Sequence, residues 1–321
     1  MLQIFKMKKI ILSFIVLASM NLTFAQDADS IAVDTSNWKL QATYGLNGTQ
    51  SSFVNWAAGG RNNISVLGYI EASAKYSKNS INWDTDLGLA LGGMKYIGKG
   101  NNEDLQKTDD RIDFATKLGY KLKKHWYLSM IAGFKSQFMD GFNFPNDSIR
   151  VSKFMAPGYG SLSLGIDYVP NDKFSAFLSP LSTKLTFVQD QVLSNAGAFG
   201  VEGAVYDETT GDVITNGKRF RGEFGAYLKV QYIQTIAKNI ELKSKLELFS
   251  NYLHNPQNID VNAEIIMNFK VNSWFSASVN WLLIYDDDID IRDSDGNFGP
   301  RTQFKSVIGL GVSYTMKNFK E

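Results

Sequence analysis

The chain contains no cysteine, only two histidines and only six prolines in 321 residues. Without thiols it holds no disulfide framework, no Cys-ligated zinc or iron–sulfur centre, no Cys nucleophile and no acylated cysteine that would make it a lipoprotein. His125 and His254 alone cannot furnish a multi-histidine metal site. An excess of one charge is missing too: 33 Lys and Arg face 32 Asp and Glu, a formal charge of +1, which leaves no basic footprint for nucleic acid. What the chain has in quantity is aromatic residues, at 13% too many for a disordered or fibrous chain.

Residues 1–25 stand apart. Lys6, Lys8 and Lys9 precede the apolar run Ile10 to Ala18, and Asn21 to Ala25 supplies a small-residue cleavage site, which is the order of a secretory signal peptide. The run has nine residues, well short of the ~20 that a spanning helix needs, so the segment reads as an export signal cut after Ala25. Residues 26–37 form a polar leader, and 38–321 read as one all-β domain.

The domain has a period of two. In Ile240, Leu242, Ser244, Leu246, Leu248 one parity is mostly apolar, while Glu241, Lys243, Lys245, Glu247 hold the other. A helix would place apolar residues at i, i+3 and i+4 instead. The same alternation marks 12 candidate strands: 39–50, 62–77, 80–93, 109–122, 124–138, 159–169, 173–189, 219–236, 239–253, 258–270, 273–285 and 301–317. Strands in soluble domains usually have about 5 to 6 residues, whereas crossing an apolar membrane band at a tilt takes about 9 to 11. Short turns near Asn79, Lys124, Asn171, Lys238 and Asn272 alternate with longer connections such as 94–108, 139–158, 190–218 and 286–300. Tyr76, Trp83, Tyr120, Trp126, Tyr168, Phe174, Tyr232, Trp274 and Tyr314 fall beside the short turns or the C-terminus, as a membrane-interface girdle would. Together these predict a transmembrane antiparallel up-and-down β-barrel of about 12 strands in the outer membrane, with short turns on the periplasmic side. Its last strand, Phe304 to Met316, has the alternation that barrel-assembly machinery reads on its substrates, although the chain ends on Glu321 rather than on an aromatic.

Several ordered motifs carry a resemblance. At Asn55, Trp56, Gly59 and Gly60, at Lys107 to Asp110, Phe154 to Tyr159, Leu248 to Tyr252 and Tyr285 to Asp288, the sequence resembles a family of secreted Bacteroidota proteins catalogued as a domain of unknown function and taken to be outer-membrane barrels. The resemblance spans nearly all of Trp38 to Met316. It implies a Gram-negative outer membrane, and it brings no activity and no site residues with it.

If the apolar parity faces lipid, the other parity lines the lumen, where Glu223, Lys229, Glu241, Lys243, Lys245, Glu247 and Glu264 are expected with near-balanced charge. Opposite charges at cross-strand spacing predict an ion-pair lattice that narrows the pore. Arg219 is expected on the same inner face. The acidic run Asp286, Asp288, Asp290, Asp293, Asp295 is a weak Ca²⁺ candidate, since closely spaced carboxylates on a Gly-containing loop suit a hard cation. It lacks the ligand spacing of an EF-hand loop, and a solvated acidic loop, or one that contacts divalent-bridged lipopolysaccharide, is the plainer reading. Trp56, Gly59, Gly60 and Arg61 are candidate partner contacts in the first long loop, or a Gly-shaped turn with Trp56 in the outer girdle. Ser250, Asn251 and His254 nominally offer a phospholipase-like set, but residues four apart on one strand are about 13 Å apart. The expectation is therefore a non-enzymatic barrel without a cofactor. It is either a narrow passive channel for small solutes or a non-conducting accessory barrel acting through its loops and a membrane protein partner.

Overall fold

A computed structural model of the protein describes residues 36–52, 61–97, 105–144, 146–272, 274–292 and 297–319. The expected signal peptide, most of the polar leader, and Trp56, Gly59, Gly60, Asp293 and Asp295 lie outside the described residues.

Twelve strands close into a barrel. They are β1 (Trp38–Ser51), β2 (Asn63–Lys78), β3 (Ile81–Tyr96), β4 (Gln106–Lys123), β5 (Trp126–Ser136), β6 (Gly158–Asn171), β7 (Phe174–Phe187), β8 (Phe220–Ala237), β9 (Ile240–Asn251), β10 (Asp260–Lys270), β11 (Phe275–Tyr285) and β12 (Gln303–Lys317). Each pairs antiparallel with its neighbours in sequence, and β1 pairs with β12 through Gln41↔Lys317 to Asn47↔Gly311. Closure gives every strand a hydrogen-bonded neighbour on both sides, as a lipid environment demands.

Alternation decides which side chains meet lipid. Leu118, Leu128, Leu162, Leu164, Leu246, Ile265 and Leu310 point outwards and are exposed, while their odd or even neighbours line the interior. An apolar wall of this extent is costly in water and suited to hydrocarbon. At the short-turn end, Trp38, Tyr76 and Trp83 sit opposite one another on three adjacent strands, with ring centroids 5.0 and 5.8 Å apart. Trp126 stacks on Tyr168 at 4.7 Å. Among the described residues no helix is long and apolar enough to cross a membrane.

The strand ends differ from the alternation in places where a side chain stops the ladder. The segment expected to run to residue 138 leaves the wall after Ser136, because the Phe138 and Met139 N–H groups donate to the two oxygens of Asp110 at 2.7 and 2.9 Å. Strand β9 ends at Asn251, whose side-chain oxygen accepts the Leu253 N–H at 3.0 Å and starts a turn. The long loops also contain structure. Short hairpins pair Gly141–Phe142 with Arg150–Ser152, Val205–Tyr206 with Val213–Thr215, and Asp290–Arg292 with Phe298–Pro300. A one-turn helix, α1 (Gln191–Asn195), is capped by Asp190, which accepts the Val192 and Leu193 N–H groups. Ala156, Val188, Leu193 and Val201 bury one another and make a small apolar core that joins two of the loops over the barrel mouth.

One strand breaks the period. In β7, Phe177 and Ser179 face inwards, and after a bulge at Pro180 the inward set becomes Ser182, Lys184 and Thr186. The bulge inserts one residue into the ladder and so moves every later side chain to the other face. Proline is tolerated there because the bulge asks for no ladder donor. The Ser179 hydroxyl fills the gap, accepting from the Leu181 N–H at 3.2 Å and lying 2.8 Å from the Leu164 carbonyl. Opposite it, Gly165 on β6 leaves room that a Cβ would take from the Leu178 carbonyl oxygen.

Candidate functional site: the lumen and its mouth

The interior is divided by charge. Arg111 on β4 reaches Glu264 on β10 at 3.7 Å, although β4 and β10 are six strands apart in either direction around the wall. This pair therefore crosses the lumen. On one side of it lie β5 to β9, and on the other β11, β12, β1, β2 and β3.

The β5 to β9 side is filled. Ser129, Ser163, Asp167, Phe177, Ser179, Ser182, Glu223 and Phe249 are all buried there. Lys117, on the boundary strand β4, meets Asp167 on this side at 2.7 Å and Asp84, on β3 of the other side, at 3.7 Å. Lys135 lies 3.5 Å from Glu247, which also accepts the Tyr227 hydroxyl at 2.6 Å. Lys245 pairs with Glu264 at 3.2 Å and lies 4.0 Å from Glu247. Lys229 sits between Glu247 and Phe177 in the cross-strand register. Glu241 and Lys243 pair at 3.1 Å nearer the short-turn end.

The other side mixes small polar groups with larger ones: the Tyr69 ring lies over Gly45, Asn47 over Gly309 and Gly311, and Ala90 is buried. Thr43 and Thr315 exchange a hydrogen bond at 2.9 Å across the β1–β12 seam, and the Ser276 and Ser313 hydroxyls lie 3.3 Å apart. Gly45, Ser73, Ser278 and Gly311 share that inner face. Glu71, midway along β2 and on the same face, is exposed. Near the mouth Lys305 pairs with Asp109 at 2.8 Å.

At the long-loop end a cluster assembles around two cationic side chains. Lys184 binds Asp260 at 2.6 Å and Asp286 at 2.7 Å, and its ammonium lies 5.7 Å from the Phe249 ring centroid. Arg221 holds Glu223 at 3.0 Å, Asp288, and the Gly200 carbonyl at 3.1 Å. Outside the wall, Asp190 pairs with Arg150 at 2.8 Å and Lys153 at 3.2 Å. Burial pushes its carboxyl up, but the Leu193 N–H, Lys153 and Arg150 outweigh that and hold it below the ordinary carboxylate value.

The expected site residues thus fall into groups. Glu223, Lys245, Glu247 and Glu264 come together in the filled half and its boundary. Of the acidic run, Asp286 goes to Lys184 and Asp288 to Arg221, while Asp290 is exposed on a short hairpin. Arg61 lies over the Tyr96 ring at 3.9 Å. Arg219 is a correction: it precedes β8 and donates through Nε to Gln191 Oε1 at 2.9 Å, so it braces α1 and is no lumen residue. The Ser250 hydroxyl donates to the Pro256 carbonyl at 2.6 Å, and His254 is an exposed neighbour of Asp288 at 3.8 Å, so the nominal Ser-His-Asn set does not assemble. Lys184 was not among the expected residues, because a strict period of two from Phe177 sends it to the lipid side. The one available signal was Pro180 inside a strand, the mark of a bulge.

Two family models match parts of the chain: "Protein of unknown function (DUF3078)" over residues 49–142 and "Protein of unknown function, DUF481" over residues 189–314. No curated protein matches it. Among solved structures it is similar to the translocator domain of the autotransporter NalP from Neisseria meningitidis, at 10% identity and a TM-score of 0.36, covering 94% of this chain and 97% of that one. It is also similar to an outer membrane channel from Pseudomonas putida F1, at 13% identity and a TM-score of 0.39, with 90% and 99% covered. The toluene transporter TodX of P. putida gives 11% identity and a TM-score of 0.30, with 90% and 91% covered. The barrel assignment itself rests on the closed pairing of the twelve strands.

Proposed function

We propose that this protein is an outer-membrane barrel acting as a narrow passive channel for small polar solutes, and that the path runs along the inner wall of β11, β12, β1, β2 and β3. The observation that carries this reading is Glu71. It points inwards at mid-height and is exposed, so water reaches this carboxylate inside the barrel. Its cross-strand neighbours are Thr43 and Gly88 and it is followed on β2 by Ser73, whose short side chains leave room and whose hydroxyls replace part of a solute's hydration, while the Tyr69 ring over Gly45 borders the space. The Arg111–Glu264 pair narrows the opening by closing off the other half. The apolar outer face, the aromatic row at the short-turn end and the expected export signal support insertion in the outer membrane, with lipid and lipopolysaccharide around it and barrel-assembly machinery as the partner during insertion.

Single-channel recording in planar bilayers tests the proposal. The wild-type protein should give a small conductance with a weak cation preference, Glu71→Gln should remove the preference, and Ser73→Trp should block the current in a barrel that still changes mobility on heating in SDS gels. A barrel that conducts through neither form overturns it. The loops favour a second reading in that event: Arg221 ties Gly200 and Asp288 from two different loops over the mouth, as an accessory barrel presenting a fixed surface to a membrane partner would require.

A further inference from the structure

The mouth cluster carries more negative charge than its own cations compensate. Glu223, Asp260, Asp286, Asp287 and Asp288 stand against Lys184 and Arg221, which leaves three carboxylates in excess. In the lumen below, by contrast, Lys117, Lys135 and Lys245 each meet carboxylates at comparable number.

Two independent features point to what is lacking. Carboxylate oxygens of Asp260, Asp286 and Asp287 all lie within 4.8 Å of one another. Oxygens bound to one calcium ion at about 2.3–2.6 Å can be no more than about 5 Å apart, so the three fit a single coordination sphere. The second feature is Glu223. Its side chain is only 2% exposed, and its Oε1 is taken by Arg221 and by the Asn251 amide at 3.4 Å. Its Oε2 makes no hydrogen bond and is aimed at the Lys184 ammonium from 3.9 Å. A buried carboxylate oxygen without a donor is costly, and a cation at that point removes the cost.

We propose that Asp260, Asp286, Asp287 and Glu223 form a divalent-cation site in which the Lys184 ammonium is a tethered occupant that calcium displaces. Lys184 already marks the position, since its ammonium binds a carboxylate oxygen of both Asp260 and Asp286. A dication brings twice the charge of the ammonium to a site with excess carboxylates, and the irregular set of side-chain oxygens plus water suits calcium better than magnesium, which demands near-ideal octahedral geometry. Asp287 adds a ligand that Lys184 leaves unused, being held only by the Asn258 amide. The site joins β7, β8, β10 and the loop after β11, so an ion there clamps the mouth. It does not depend on whether the lumen conducts.

The test uses the full purified barrel in detergent with Tb³⁺ as the probe. Tyr285 directly precedes Asp286, and Tyr159 faces inwards on β6 opposite Thr186, two residues from Lys184. Both are placed to sensitise bound Tb³⁺. The wild type should show saturable tyrosine-sensitised emission that Ca²⁺ reverses and equimolar Mg²⁺ does not. Asp260→Asn and Asp287→Asn should weaken binding at least tenfold, and Lys184→Gln should tighten it at least tenfold, each in protein that remains heat-modifiable on SDS gels. Should Asp260→Asn fail to fold, Asp287→Asn decides, because it disturbs no ion pair. Absence of saturable emission, indifference to Asp287→Asn, or a Lys184→Gln barrel that binds no more tightly overturns the proposal.

Discussion

On one side of the Arg111–Glu264 pair the inward residues Ser163, Ser179 and Ser182 are buried, while on the other the inward Glu71 is exposed. Both sides belong to the same closed wall, with the same alternation and five strands each. What differs is side-chain volume. Phe177, Tyr227, Phe249 and long ion-paired lysines fill the β5 to β9 half, and they press the small serines against the wall. In the opposite half the short side chains of Thr43, Ser73 and Gly88 surround Glu71 and leave it exposed, while the Tyr69 ring covers Gly45 and Asn47 covers Gly311. Strand number sets the diameter of a barrel, but the residues at the inward positions set whether its interior is a core or a passage.

The largest effect that would break this comparison is on stability. In the filled half, Lys117→Met leaves Asp167, whose side chain is 3% exposed, with a buried charge and no ammonium. Removing one partner of a buried pair costs about 3–5 kcal/mol. In the open half, Glu71→Gln should cost less than about 1 kcal/mol, as for an exposed surface position. Urea unfolding monitored by tryptophan fluorescence in detergent or vesicles measures both. Equal costs would mean that the two halves are equally packed.

The comparison also assumes that the wall has an inside. Leu246 and Lys245 are adjacent on β9 and point opposite ways, and Leu246→Arg puts a charge against lipid at about 2–4 kcal/mol near the midplane. Lys245→Gln should be better tolerated, since Glu264 keeps Arg111 and the Asn280 amide. If the two substitutions cost the same, the assignment of faces is wrong.

A smaller effect sharpens the boundary. Arg111→Ala removes the transverse pair while leaving Glu264 bonded to Lys245 and Asn280, so the fold should survive. Conductance should rise several-fold and shift towards cations, because the Glu264 carboxylate then faces the passage. An unchanged current would show that Arg111 does not border the path.

The wall was legible in the sequence, and the lumen only in part. Each of the twelve strands lies within a few residues of where period two put it, because one face had to be apolar and no helical stripe competed. The Lys245, Glu247 and Glu264 group was legible for the same reason. Arg111 and Lys184 were not. Arg111 acts across the barrel, so its partner is fixed by closure and shear, which no local pattern encodes. Lys184 follows a bulge, and one inserted residue inverts the faces of everything after it. Asp287 and Asp260 meet only because β10 and β11 are adjacent at their long-loop ends. The spacing of the acidic run said nothing about Asp260, which is a strand away.

The smallest expected effect concerns the mouth on the filled side, where loops are fastened by Asp190. Its oxygens cap α1 and bind Arg150 and Lys153, so it joins the hairpin loop after β5 to the loop after β7. Because its carboxyl is held below the ordinary value of 3.8, the stabilisation it supplies is fully present above that value and is lost as pH falls through the lower folded value. Removing the cap with Asp190→Ala should cost about 1 kcal/mol, felt as local opening of 188–219. Asp190→Asn keeps an oxygen for the Val192 and Leu193 N–H groups but gives up the charge, so it should cost less. Hydrogen exchange at Val192 and Leu193, followed from about pH 5 down to about pH 2 and corrected for intrinsic rates, distinguishes the two contributions. The wild type should lose protection over that range beyond what Asp190→Asn loses. Identical profiles would mean that the cap alone, without its ion pairs, holds the loops together, and that the filled half is closed by packing of Ala156, Val188, Leu193 and Val201 instead.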